Sequence, residues 1–517
     1  MTRARSALAA LIASTWLAHP SGAQDAESEP LAAIDWLSES LRAEPQPTAS
    51  ARQTPPGVRA PVPGEAPVAS AVETPRVTAI PLGAANAGPV GLWPPSRAGL
   101  PETLWAGSDP GRLVDLIGAL PIQISPPLQA LLRDMMLVSA APPRVGGAEL
   151  LLRARVDRLL ATGDIDEARA LIDAAGSSDP ELFRRDFDTA LLSGREQESC
   201  ARLEGSPRLA PTWPVRVFCL ARSGDWAAAA LTMGTARALG DISDAEEALL
   251  SRFLDPDLYE GEPDLPLPDR MTPLEFRLRE AIGTPVPTGS LPLAFIASDL
   301  RPMVGWKAQI EAAERLSRGG TLPPERLLDL YRRGRPAASG GVWERVATMQ
   351  ALDAAFGAGP EAVGQALPPA YAAMASAHQE PALAALWGRR LARLSLPGDA
   401  GKIAHDLALL AGIESTGTGL ADAISRGDTR NMTPAGRPLP DALIAAFAGA
   451  PAPDGLMALA ESDRQGEALL QAIALFEAGR QGDPASVRDA LAALRGLGQD
   501  RKARAAALHL LLAEQPE

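Results

Sequence analysis

The sequence has few aromatic residues. Phe, Trp and Tyr together make up 4% of its 517 residues, whereas hydrophobic residues of all kinds make up 46%. Strands of sandwiches and barrels favour aromatic and β-branched side chains, so this composition argues against an all-β protein. A core must instead come from small aliphatic side chains, chiefly Ala and Leu, that pack helix against helix.

Basic residues are also too few to balance the acidic ones. The chain has 49 Lys and Arg against 63 Asp and Glu, a net charge of −14, and only three of the basic residues are Lys. Nucleic acids and anionic lipids bind to clustered basic charge, so neither is an expected partner. The preference for Arg over Lys is typical of a GC-rich bacterial coding sequence.

Histidine and the common catalytic motifs are scarce. After the first 23 residues only His378, His405 and His509 remain, and none has a second His or Cys at the spacing of metal ligands. No Gly-x-Ser-x-Gly motif of a serine hydrolase occurs. The acidic loop 255–262 departs from a calcium-loop signature because Tyr259 stands at a ligand position. The sequence therefore predicts no catalytic site, no metal and no cofactor.

The first 23 residues have the pattern of a secretory signal peptide. Arg3 and Arg5 precede an apolar run at 7–18, and small residues follow it. This run is too short to cross a bilayer, which takes roughly 18 to 20 residues, so cleavage is favoured over a retained anchor. The pattern predicts cleavage between Ala23 and Gln24 and a periplasmic mature protein.

The chain has only two cysteines, Cys200 and Cys219. In an oxidising compartment two lone thiols tend to pair. Cys200 lies on a helix predicted to end near Gly205, and Cys219 lies on the next helix, so antiparallel packing brings them to similar heights. A redox-active pair would need a Cys-x-x-Cys motif or basic neighbours, which are missing here. We therefore expect a structural disulfide.

Three segments of different composition follow the signal peptide. Residues 24–43 contain the amphipathic stretch 31–42, a predicted short helix that either folds back onto the main body or docks a partner. Residues 44–76 are rich in Pro and Ala, cannot hold a helix, and are predicted to be a disordered linker. Residues 77–108 are more apolar, and we expect this segment to lie along the folded body.

Signals for helix starts recur from residue 109 to the end of the chain. Prolines follow polar capping residues at Asp109-Pro110, Ser125-Pro126, Asp179-Pro180, Thr272-Pro273 and Asp483-Pro484. The pairs Ser243 with Glu246 and Thr272 with Glu275 have the spacing of capping boxes. Between these starts apolar residues recur every three or four positions. The pattern predicts an all-α fold.

Three glycines, Gly163, Gly194 and Gly224, recur between helices at intervals of 31 and 30 residues. Around two of them the sequence resembles the tetratricopeptide family, whose turn reads Gly-Asp-aromatic-x-x-Ala. The matching residues are Gly163, Asp164, Ile165 and Ala168, then Gly224, Asp225, Trp226 and Ala229. The resemblance implies a right-handed α-solenoid of antiparallel helix pairs over residues 109–260, and we expect residues 261–517 to form a further α-helical repeat region.

A solenoid of this kind favours binding over catalysis. Stacked helix pairs form an extended concave surface that holds protein partners through many small contacts. Trp306, Trp343 and Trp387 are the candidate partner anchors, and their alternative role is to fill space between helix layers.

A second hypothesis is an enzyme, or its accessory, that acts on peptidoglycan in the cell envelope. Soluble lytic transglycosylases are periplasmic and carry an α-superhelix before a catalytic domain whose acid is a Glu followed by Ser. Glu461-Ser462 has this form, but the same dipeptide occurs at four other places and is not informative. The similarity is therefore to the non-catalytic superhelix.

Overall fold

The computed structural model of the protein describes residues 88–176 and 179–513. The predicted signal peptide with its cleavage site at Ala23 and Gln24, the helix in 24–43, the linker 44–76 and residues 77–87 lie outside the described residues. Within the described part the secondary structure is helical, apart from one isolated bridge between Trp93 and Val138. The predicted all-α fold is confirmed.

The described helices form three groups, each with its own hydrophobic cluster. One of these groups combines the first four helices with the last six. Four helices come first: α1 (Pro110–Ala119), α2 (Pro126–Leu137), α3 (Ala148–Thr162) and α4 (Ile165–Ala175). Six make up what we term the groove lobe: α5 (Pro180–Ser193), α6 (Glu196–Gly205), α7 (Trp213–Arg222), α8 (Trp226–Leu239), α9 (Asp244–Leu254) and α10 (Pro273–Ala281).

Seven helices form the central lobe: α11 (Leu293–Ile296), α12 (Trp306–Arg318), α13 (Pro324–Arg332), α14 (Gly341–Ala358), α15 (Pro360–Ala375), α16 (Glu380–Leu391) and α17 (Gly398–Leu410). Six more complete the described chain: α18 (Leu420–Arg426), α19 (Pro438–Ala448), α20 (Asp454–Glu461), α21 (Gln465–Gly479), α22 (Pro484–Gly496) and α23 (Asp500–Leu512). These last six do not form a separate core, because they share one hydrophobic cluster with α1–α4, here called the closing core.

Local signals fix where several helices begin. Both predicted capping boxes form, with Ser243 Oγ accepting from the Glu246 backbone N–H and Thr272 Oγ1 accepting from that of Glu275. Each glutamate carboxylate in turn accepts a hydrogen bond from the backbone N–H of its partner. Four otherwise unpaired backbone donors are thereby satisfied, which holds the first turns of α9 and α10.

The three recurring glycines occupy the turns inside helix pairs. Gly163, Gly194 and Gly224 join α3 to α4, α5 to α6 and α7 to α8, with φ angles of 83°, 74° and 91°. These left-handed conformations suit glycine because it has no Cβ. At Gly163 an added Cβ would also lie 2.7 Å from Leu316 Cδ2. The glycines therefore reverse the chain so that successive helices pack side by side.

The groove lobe continues across the predicted boundary between residues 260 and 261. Leu274 and Leu278 of α10 pack in the same hydrophobic cluster as Leu249 and Leu250 of α9. Helix α10 also returns to pack against α5, the first helix of the lobe. Helix α10 therefore belongs to the same packed group of helices as α5–α9.

The segment at 88–108 packs on the closing core. Leu104 and Trp105 are fully buried there, and Gly466 N–H of α21 donates to Leu104 O at 2.9 Å. A Cβ on Gly466 would come within 2.5 Å of the Trp105 ring, so the absence of a side chain permits this contact. Gln499 Nε2 donates to Gly99 O at 2.9 Å beside it. Early and late parts of the chain are therefore joined directly.

Candidate functional site: a groove with an apolar floor and an acidic rim

A groove of about 440 Å³ opens in the groove lobe. It lies between α5, α7, α9 and α10, and the first two of these are the leading helices of successive pairs. Its floor is apolar and is built from Phe187, Val215, Leu249, Leu250, Leu274 and Leu278. An apolar concave floor between stacked helices suits the apolar side chains of a bound segment better than a single polar ligand.

Three helix N-termini point towards this groove, and each is already capped. Thr212 Oγ1 accepts from the Val215 backbone N–H at 3.4 Å at the start of α7. The capping boxes described above occupy the starts of α9 and α10. These caps use some of the donors that would otherwise attract an anion, and the carboxylates of Glu246 and Glu275 beside them disfavour a phosphate at these helix ends.

The rim of the groove carries more acidic than basic side chains. Asp188, Glu246 and Glu275 line it together with a single basic residue, Arg184. Partial burial raises the pKa of Asp188 to about 6, although Arg184 and Arg185 act in the opposite direction. The rim therefore presents negative charge at neutral pH, and Asp188 takes up a proton near pH 6.

The two cysteines lie in the wall of the same lobe. Cys200 Sγ on α6 and Cys219 Sγ on α7 are 2.00 Å apart, at disulfide-bonding distance, and both side chains are buried. They belong to the hydrophobic cluster that includes Phe187 of the groove floor. The covalent link predicted from the sequence would thus fix two neighbouring helices of the groove lobe.

The three tryptophans proposed as partner anchors lie away from this groove, in the central lobe. Trp306 and Trp343 are half-buried, with ring centroids 4.9 Å apart, and Trp306 Nε1 donates to Leu330 O at 2.8 Å. Trp387 is only 3% exposed and packs on Phe356. The expectation that Trp387 is an exposed anchor is therefore wrong, because its side chain fills the space between α14 and α16.

The histidines are less dispersed than the sequence indicates. His405 Nε2 lies 2.9 Å from Asp422 Oδ1, whereas His378 and His509 line one cavity. Sequence reasoning missed this second pairing because its members lie on α23 and on the turn before α16. In the described residues no group of three or more His, Cys, Asp or Glu side chains is arranged to hold a metal ion.

The Glu461-Ser462 dipeptide does not form a catalytic site with other residues that the structure describes. Glu461 is exposed at the last position of α20, and Ser462 Oγ donates back to Ala458 O at 2.9 Å.

Across residues 88–176 and 179–513 no helix has both the length and the apolar character needed to cross a bilayer. Comparison with protein-family models, curated proteins and solved structures finds no match to this chain.

Proposed function

We propose that the chain is a non-catalytic binding protein, a tetratricopeptide-like scaffold that holds a segment of a protein partner in the groove. The observation that carries the proposal is the groove itself, with an apolar floor between the leading helices of successive pairs. Helical repeat proteins use such concave surfaces for extended or helical segments.

The charge of the rim defines the chemistry of the partner. Three carboxylates face one guanidinium, so a bound segment gains from Lys or Arg next to an apolar side chain. The apolar side chain would enter the floor near Leu249, and the basic group would lie beside Asp188 and Glu246. The proposed occupant is therefore a basic, apolar segment of a protein.

The proposed compartment is the periplasm. Two observations support it: the signal-peptide pattern in residues 1–23 and the two cysteines at bonding distance. Disulfides persist in oxidising compartments and are rare in the cytosol. A protein of the cell envelope is then the expected partner.

The test uses point variants of the full chain, because deleting the repeats would remove α1–α4 from the closing core. A photo-crosslinking amino acid replaces Arg184 on the groove rim and, in a second protein, exposed Arg389 of α16. Ala245→Trp blocks the mouth of the groove. Ala227→Trp, at an exposed alanine of α8 outside the groove, is the matched control.

In the native cells we expect the probe at position 184 to label a defined peptide that carries both basic and apolar residues. Ala245→Trp should reduce this labelling at least tenfold, and Ala227→Trp should leave it unchanged. Equal labelling from positions 184 and 389, or no effect of Ala245→Trp, contradicts the proposal. Retention or cleavage of peptidoglycan fragments by the purified chain, without labelling at position 184, favours the envelope-polymer hypothesis instead.

A further inference from the structure

A second cavity, of about 500 Å³, lies where the closing core meets the central lobe. Its wall comes from distant parts of the chain: the turn before α2, the end of α12, the turn before α16, and the ends of α21 and α23. The volume is within the range of about 300 to 1,000 Å³ that small-molecule sites occupy. We call it the closing cavity.

Basic side chains dominate the wall of the closing cavity. Arg318, Arg480, His378 and His509 line it, together with the carboxyl group of Glu380. Arg480 Nη1 donates to Glu477 Oε2 at 2.5 Å. Arg318 is exposed and forms no ion pair with any residue that the structure describes. One guanidinium thus remains available to an anion.

Ser125 gives the wall a hydroxyl that has no hydrogen-bond partner in the described structure. Its side chain is 1% exposed, and its Oγ is buried without a donor or acceptor. The sequence predicts that Ser125 caps α2, but Pro126 and Pro127 have no N–H, and Leu128 N–H donates to the Ser125 carbonyl oxygen instead. A buried polar group without a partner is costly, so this hydroxyl, which lies just behind the cavity wall, gains a partner if its side chain rotates towards a group bound there.

The backbone of the cavity wall also supports a binding role. His378 has a φ of 53°, a left-handed conformation that is uncommon outside glycine and that concentrates at functional sites. Glu380 beside it is 7% exposed, and burial raises its pKa, whereas His378 and His509 lower it.

We propose that the closing cavity binds a small molecule through an oxyanion group, a carboxylate or a phosphate. Arg318 supplies the ionic contact, and Ser125 Oγ donates a hydrogen bond once its side chain rotates towards the ligand. Guanidinium groups bind both carboxylates and phosphates through paired N–H donors. This site does not depend on the protein-binding groove.

Calorimetric titration of the mature chain with inorganic phosphate and, separately, with succinate tests the site at constant ionic strength. We expect saturable binding of at least one probe, and the preferred probe identifies the oxyanion. Arg318→Gln should weaken binding at least tenfold and Ser125→Ala severalfold. The control Arg389→Gln, at an exposed arginine outside the cavity, should bind as the unmodified chain does.

Two outcomes overturn the proposal: neither probe saturates, or Arg318→Gln and Arg389→Gln bind equally well. Far-ultraviolet circular dichroism and the melting temperature of each variant show whether it is folded. Ala245→Trp should leave anion binding unchanged, so failure of the groove proposal and failure of this one are distinguishable.

Discussion

Tyr331 Oη donates a 2.8 Å hydrogen bond to Glu314 Oε1 in the interior of the central lobe. Arg345 approaches the same carboxylate with Nε at 2.7 Å and Nη2 at 2.6 Å. Glu314 is 4% exposed and Tyr331 is fully buried, and burial together with the glutamate raises the pKa of Tyr331 well above its usual value. The phenol is therefore a permanent donor to a buried charge.

Removing the guanidinium should destabilise the protein strongly. Arg345→Met leaves Glu314 as a buried carboxylate without its counter-charge, which costs about 3–5 kcal/mol. Tyr331→Phe removes one hydrogen bond to a charged group and should cost about 1.5–3 kcal/mol. Urea unfolding measures both values. The control is Arg332→Met, which breaks a more exposed pair with Asp353 and should cost less than about 1 kcal/mol.

Loss of the link between α6 and α7 should destabilise the groove lobe. Cys200 and Cys219 are 19 residues apart, and closing a loop of that size in the unfolded chain contributes about 3 kcal/mol. The double variant Cys200→Ser, Cys219→Ser should therefore melt at a lower temperature than the oxidised protein. Reductant should lower the melting temperature of the original chain and leave the variant unaffected. An equal response of both proteins would contradict the disulfide.

The contact of Gly466 with Trp105 should be intolerant of even one methyl group. Gly466→Ala places a Cβ within 2.5 Å of the buried ring and should cost about 1–3 kcal/mol. Gly118→Ala is the matched control, since this helical glycine of α1 has open space at its Cβ position. It should raise stability by about 0.5–1 kcal/mol. Chemical denaturation measures the free energy of unfolding of both variants. If both substitutions change it in the same direction, the contact of Gly466 with Trp105 is refuted.

Asp188 should make the stability of the groove lobe depend on pH. Its pKa is raised in the folded state to about 6, so ionisation favours the unfolded chain. Protonated Asp188 contributes its full stabilisation of the folded state below the pKa that it has in the unfolded chain, near 4. This contribution is lost as the pH rises through 6. The free energy of unfolding of the original chain should therefore fall relative to that of Asp188→Asn between pH 4 and 7. If the difference in the free energy of unfolding between the two proteins is constant over this range, the pKa of Asp188 is not raised in the folded state.

Local features of the sequence predicted local structure well. The capping boxes at Ser243 and Thr272 and the turns at Gly163 and Gly224 depend only on neighbours within a few residues, so the pattern identified them. The pairing of Cys200 with Cys219 could also be anticipated, because the two helices are consecutive.

Features that depend on distant packing could not be predicted in this way. Trp387 is buried because its ring packs on Phe356 of α14, a contact that no local pattern reveals. His378 and His509 share a cavity only because α23 packs beside the central lobe. The prediction that the Ser125 side chain caps α2 is wrong for a local reason, since Pro127 has no N–H and the Leu128 N–H donates to the Ser125 carbonyl oxygen instead.

Because of the closing core, the first described helices cannot complete their packing until the last ones are present. Helices α1 and α2 bury apolar residues against partners that include α21, and α2 also packs against α23. During synthesis those partners appear only when nearly all of the described chain has been made. An interrupted chain would therefore present an exposed apolar surface, a substrate for chaperones and proteases, and would not be a shorter working repeat protein.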